Sequence, residues 1–141
     1  MSASVVALFG EAEKGSLDTV YFCRSLDDLY QYLGEPPKDA RGLHFAVQTL
    51  LYGTNILYFR VREEGISLDD YLFGFRLLRD IHTPVITLQA LFLPGVGSSE
   101  LIEEGISLCR RHSSLLIIRE ADFYDYMTDR KKEKTLQSEG L

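Results

Sequence analysis

The residues best placed to do chemistry lie in two glycine loops. Gly10-Glu11-Ala12-Glu13-Lys14-Gly15-Ser16 follows an apolar run and has the GxxxxG spacing of a phosphate-binding loop. That chemistry needs a lysine directly after the second glycine, and Ser16 stands there instead. Glu11 and Glu13 would repel phosphate, and the strand-like residues that follow offer no helix N-terminus. The segment therefore reads as an exposed connecting loop. The second loop, Gly95-Val96-Gly97-Ser98-Ser99-Glu100, is a broken dinucleotide fingerprint with Glu100 where the third glycine belongs. It joins a strand to a helix, so Gly95, Gly97, Ser98 and Ser99 form a candidate anion or ligand loop. The competing reading is a tight turn followed by a serine helix cap.

Other reactive groups do not gather. His44, His82 and His112 are scattered, with no carboxylate or cysteine at ligand spacing, so no metal site is expected. Cys23 and Cys109 lack CxxC spacing and sit in apolar segments, as small core residues of a reducing compartment would. GxSxG and HExxH motifs are absent from the sequence. The acidic pairs Asp27-Asp28, Glu63-Glu64, Asp69-Asp70 and Glu103-Glu104 fall mostly in first helical turns or polar loops, where capping and solvation explain them. No catalytic residue and no cofactor site is nominated, and the chain is expected not to be an enzyme. Tyr71 and Phe73 fall off the apolar stripe of their helix and are candidate protein-contact residues.

The elements that carry these residues follow from periodicity. A length of 141 residues suits one domain with a core of its own, and 45% hydrophobic with 26% charged residues is ordinary for a globular protein. A net charge of −6 argues against nucleic-acid and anionic-membrane partners. Arg110, Arg111 and His112 read as complements to a helix C-terminus rather than as a basic patch. No signal peptide and no apolar run near the ~20 residues of a membrane span is visible, which implies a cytoplasmic protein.

Ser4 to Phe9 and Thr19 to Cys23 read as strands. A helix begins at Ser25, with Asp28 as capping partner, and stops at Gly34. Leu43 to Tyr52 is a second helix and Ile56 to Val61 a strand. Ser67 and Asp70 repeat the cap signature for a helix to about Ile81, with Leu68, Leu72, Phe75, Leu78 and Ile81 as its stripe. After a break at Thr83-Pro84, Val85 to Leu93 is longer than a typical strand. Its first half is expected to be a turn or helical segment, and Ala90 to Leu93 the strand core. A helix from Ser98 or Ser99 to His112, a buried strand from Leu115 to Ile118 and a helix from Asp122 to Lys132 complete the chain. The alternation predicts a single-domain α/β sandwich: a mixed, largely parallel sheet of about five strands flanked by helices. Residues 1–127 form the domain, and 128–141 a polar, flexible tail.

These parts, in this order, resemble the core of contractile-tail sheath proteins. Phe9-Gly10-Glu11-Ala12-Glu13-Lys14-Gly15-Ser16-Leu17-Asp18 is similar to the family's strand, glycine, small-residue loop and Lys-Gly. Ser25-Leu26-Asp27-Asp28-Leu29 to Leu33-Gly34 resembles its short helix with a Leu-Gly stop. Ala46 to Gly53 leading into Ile56-Leu57-Tyr58-Phe59-Arg60-Val61 resembles its helix, glycine turn and strand, and Leu91-Phe92-Leu93-Pro94-Gly95 its strand ending in Pro-Gly. The likeness runs from Ser4 to about Ile118, the core α/β domain without the family's N- and C-terminal arms. It implies a structural subunit of a phage tail or related injection apparatus, cytoplasmic or assembled into a particle. Its partners would be proteins: itself, or sheath-, tube- or baseplate-like subunits. The alternative is a small α/β ligand-binding or regulatory domain using the Gly95 to Glu100 loop.

Overall fold

The computed structural model describes residues 3–81 and 86–138. His82, the expected break at Thr83-Pro84, Val85 and residues 139–141 lie outside them. Strand β1 (Ala3–Gly10) is central because its apolar run has two faces to bury. Val5, Ala7 and Phe9 enter one core cluster, and Val6 and Leu8 the other, as a period of two requires. β1 pairs in parallel with β3 (Asn55–Arg60) and with β4 (Ile86–Phe92). At the edges β2 (Val20–Cys23) runs antiparallel to β3, and β5 (Leu115–Ile117) parallel to β4. The sheet thus has the order β2-β3-β1-β4-β5.

Helices α1 (Leu26–Leu33) and α2 (Gly42–Leu51) cover the Val6 face through Leu29, Leu33, Leu43 and Ala46. Helices α3 (Leu68–Arg79) and α4 (Ser99–His112) cover the Val5 face through Tyr71, Phe75, Leu78, Leu101 and Leu108. Helix α5 (Glu120–Ser138) follows β5. This is the expected mixed, largely parallel α/β sandwich. Phe9 anchors the α3 side, stacked on Phe59 at 4.6 Å and Tyr71 at 5.3 Å, with Phe75 edge-on at 5.3 Å. Each such aromatic pair contributes about 0.5–1.5 kcal/mol beyond simple burial.

Local chemistry explains the element ends. Ser25 Oγ accepts the Asp28 N–H at 3.1 Å, and the Asp28 carboxylate accepts the Arg24 N–H at 3.0 Å, so α1 starts at the expected cap. The repeat of that signature at Ser67 behaves differently. Ser67 Oγ accepts the Glu63 N–H, and buried Asp70 accepts the Arg62 N–H at 2.9 Å. Both side chains bind the preceding loop instead of capping α3.

Four expectations are corrected by packing. The buried stripe of α3 is Tyr71, Gly74, Phe75 and Leu78, while Leu68 is exposed and Leu72 only half-buried. Gly74 sets this rotation, because a Cβ there would strike the Phe9 ring and stand 3.0 Å from Phe59 Cδ1. β4 is strand from Ile86 rather than a turn, since a bulge between its pairings with Val5 and Val6 absorbs Gln89. β5 is not buried: Leu115 is 68% exposed and Ile117 is exposed too, with Leu116 alone packed on the core. Finally, α5 begins at Glu120 and extends past Lys132 to Ser138.

The two helical layers are offset along the sheet. Leu115 and Ile117 pair with Ala90 and Phe92, so they lie on the α2 face, which is uncovered at the β5 edge. Val20 and Phe22 pair with Phe59 and Leu57, so they lie on the α3 face, which is uncovered at the β2 edge. Each edge therefore exposes apolar side chains on the opposite face from the other.

Candidate functional site

Strands β3, β1 and β4 end on one side of the sheet; the chain after β1 goes on to α1 and α2 on the Val6 face, and the chain after β3 to α3 on the Val5 face. In open α/β sheets the crevice at that reversal is where ligands bind. Here the chain fills it with its own carboxylates. Glu64, in the loop after β3, accepts the N–H groups of Glu11 at 3.2 Å, Arg41 at 2.8 Å and Gly42 at 2.7 Å. Glu11, directly after β1, accepts the Glu64 N–H at 2.9 Å. Glu64 supplies α2 with the cap its own N-cap residue lacks, since Arg41 makes no side-chain cap bond.

The approach is tight enough to require two glycines. A Cβ on Gly10 would stand 2.6 Å from Gly42 Cα and 2.7 Å from Glu64 Oε1, and one on Gly42 would stand 2.7 Å from Gly10 Cα. Two tyrosines close the floor. Tyr58 Oη donates to the Glu11 carbonyl at 2.9 Å, and Tyr71 Oη accepts the Gly65 N–H at 2.8 Å. Burial, with the Glu64 charge next, pushes the Tyr58 phenol well above its usual range. Burial also raises Tyr71, partly offset by the Gly65 N–H bond. Both phenols stay protonated, and both carboxylates are engaged by backbone donors. The cluster is built to hold loops together.

The second candidate loop is filled in the same way. Gly95, Gly97, Ser98 and Ser99 do come together at the start of α4. However, the Gly95 N–H donates to buried Asp122 at 2.8 Å, and the Ser99 N–H to Asp129 at 2.8 Å. Ser98, the N-cap residue, forms no side-chain cap bond, so α5 supplies the anion that a helix start attracts. Arg119 grips Asp122 through Nε and a terminal nitrogen, both at 2.8 Å, and that hydrogen bonding raises the guanidinium pKa. Asp125 and Asp129 line the remaining space of about 530 Å³ and make it unfavourable to a free anion.

The other candidates separate. Tyr71 is 0% exposed, which removes it as a protein-contact residue; its ring belongs to the Phe9 cluster. Phe73 is half-buried on the other side of α3. His44 is exposed on α2, whereas His112 Nε2 lies 2.9 Å from the Leu78 carbonyl and ties the ends of α3 and α4. Among the described residues no group of three or more His, Cys, Asp or Glu is placed to hold a metal ion. Cys23 and Cys109 are buried and unpaired with each other; burial, then the Asp28 charge, pushes Cys23 up to about 11. The Gly10 loop is less exposed than expected, with Ala12 buried, Lys14 N–H donating to the Leu33 carbonyl and Arg60 donating to the Gly15 carbonyl.

Sequence reasoning missed Glu11, Glu64, Asp122 and Asp129 as the residues that matter here. The backbone N–H groups they accept lie 22 to 53 residues away along the chain, and no local spacing reports them. No protein-family model, curated protein or solved structure matches the chain. No helix of the described residues is long and apolar enough to cross a membrane.

Proposed function

We propose that this chain is a non-enzymatic structural protein that acts by assembling with other subunits, built like the core of a contractile tail sheath subunit from a phage tail or related injection apparatus. The sheath-like order of elements motivates the reading. One observation carries it: the offset of the two helical layers leaves both sheet edges open and apolar on opposite faces. Open apolar edges are normally blunted in proteins that stay monomeric. In two copies of the same orientation, β5 of one meets β2 of the next antiparallel. Leu115 and Ile117 then lie beside the neighbour's α1, and Val20 and Phe22 beside the other copy's α4. The crevice supports the same reading, because its anion-seeking donors are taken by Glu64, Asp122 and Asp129.

Electron microscopy and sedimentation over a concentration series test this, alone and with sheath-, tube- or baseplate-like subunits. Rings, filaments or co-assemblies that disappear in Phe22→Glu and Ile117→Glu are the expected result. A protein that stays monomeric throughout and joins none of those subunits would sink the proposal.

A further inference from the structure

Helix α5 is held to the domain along one narrow stripe. Among its described side chains Asp122 and Tyr126 are buried and Asp129 is half-buried, all on one side at 100° per residue. The opposite arc carries Phe123, Tyr124 and Met127, all exposed, with exposed Lys131. The helix is thus segregated by charge as well as by polarity. Asp122, Asp125 and Asp129 fall on the inner half, exposed Arg130 at its border, and exposed Lys131 on the outer half. Among the described residues that face stays exposed, with Tyr124 at 64%.

A second unpartnered surface has the complementary character. Between α1 and α2 lies an open groove of about 480 Å³, with Leu29, Leu43 and Val47 in its floor and Leu26 and Tyr30 on its rim. Tyr30 is 60% exposed and, with exposed Leu26, carries the apolar lining of the groove out to the surface. Carboxylates border the groove: Glu35 lines it, and exposed Asp27 sits beside Leu26 in the first turn of α1. His44 is the titratable group on the α2 side.

The two surfaces cannot meet within one chain. α1 and α2 lie on the Val6 face of the sheet, whereas α5 is tied through Asp122 and Asp129 to the start of α4 and packs Tyr126 into the core of the Val5 face. We infer that the outer face of α5 docks into the α1–α2 groove of a second copy of this chain, head to tail. Phe123, Tyr124 and Met127 enter over Leu29, Leu43 and Val47, and Arg130 and Lys131 meet Asp27 and Glu35. Such a contact joins unlike surfaces, so it propagates as a ring or filament rather than closing as a twofold dimer. The inference rests on the assembly reading above and names an interface separate from the sheet edges.

Full-length single-site variants test it, with circular dichroism and melting to confirm folding. Met127→Glu disables the helix face and Tyr30→Glu the groove, and each alone is expected to weaken self-association tenfold or more in sedimentation. Mixed together, they retain one intact helix face and one intact groove, so the two variants are expected to associate with each other more tightly than either does with itself. Lys131→Glu should weaken association, and Glu35→Lys in the mixing partner should restore it. Association unchanged in both Met127→Glu and Tyr30→Glu overturns the inference. If that association is then lost in Ile117→Glu, the sheet-edge reading survives alone and the groove belongs to another occupant. A wild type that is monomeric at every concentration overturns the inference as well, while co-assembly with tail subunits would still uphold the broader reading.

Discussion

Glu11 and Glu64 each accept the other's backbone N–H, across 53 residues of sequence, at 2.9 and 3.2 Å. The exchange locks the loop after β1 to the loop after β3, and Glu64 extends the lock to the start of α2. Three parts of the chain are thereby fixed at the point where an open α/β sheet would otherwise admit a ligand.

Glu64→Ala is expected to destabilise the domain by about 1–3 kcal/mol, because Glu11, Arg41 and Gly42 lose their acceptor at once. Glu64→Gln should cost less, since one amide oxygen remains to accept. Urea unfolding checks both. An alanine variant as stable as wild type would mean that water replaces the carboxylate at no cost.

The Asp122 site gives a larger expected effect. Asp122→Ala strips buried acceptors from Arg119 and from the Gly95 N–H together. Removing one partner of such a pair costs about 2–4 kcal/mol, and α5 should loosen with it. Hydrogen exchange along Glu120–Ser138 reports the loosening. The same variant probes the ligand-loop alternative. Phosphate is expected not to raise the melting temperature of the wild type, whose donors are occupied.

Much of this fold was legible in the sequence, and the reasons differ by element. Buried strands such as β1 and caps such as Ser25 with Asp28 are local signals, set by a few adjacent residues. The α3 stripe is not legible from spacing, which sets Tyr71 off the Leu68-Leu72-Phe75 row; in the fold its ring is buried and the Gly65 N–H satisfies the hydroxyl. β5 was misread because periodicity reports apolar character and not which layer covers it. The carboxylate cluster was illegible for a further reason. Glu64 in a loop has the same sequence signature whether it meets water or the N-terminus of a helix 22 residues earlier.

Gly74→Ala tests the packing that turned α3. The added methyl group meets the Phe9 ring, which is confined by Phe59 and Tyr71 and cannot swing away. Higher helix propensity would favour alanine by ~1 kcal/mol at a free site. Overpacking should outweigh it, for a net loss of about 1–3 kcal/mol in thermal or urea unfolding. A neutral or stabilising substitution would show that the helix can shift outward.

Alkaline pH should unfold the domain for a reason written in its tyrosines. Tyr58 and Tyr71 have folded-state pKa values raised above the ordinary 10.0, chiefly by burial. In the unfolded chain both lose their protons near the ordinary value, whereas the folded chain retains them. Below pH 10 the two states bind the same phenolic protons, and the stabilisation from the buried neutral rings is fully present. Above it the unfolded state binds fewer protons, so stability falls with rising pH. The slope should reach about 1.4 kcal/mol per pH unit for each tyrosine. Ultraviolet absorbance and circular dichroism recorded together along an alkaline titration check this. The buried pair should ionise only with loss of the folded circular dichroism signal. Tyr58→Phe removes one titrating group and should flatten the alkaline slope, even where the lost bond to the Glu11 carbonyl lowers stability near neutral pH. Equal slopes for wild type and Tyr58→Phe would show that Tyr58 ionises freely in the folded protein, and that the floor of the crevice is open to water.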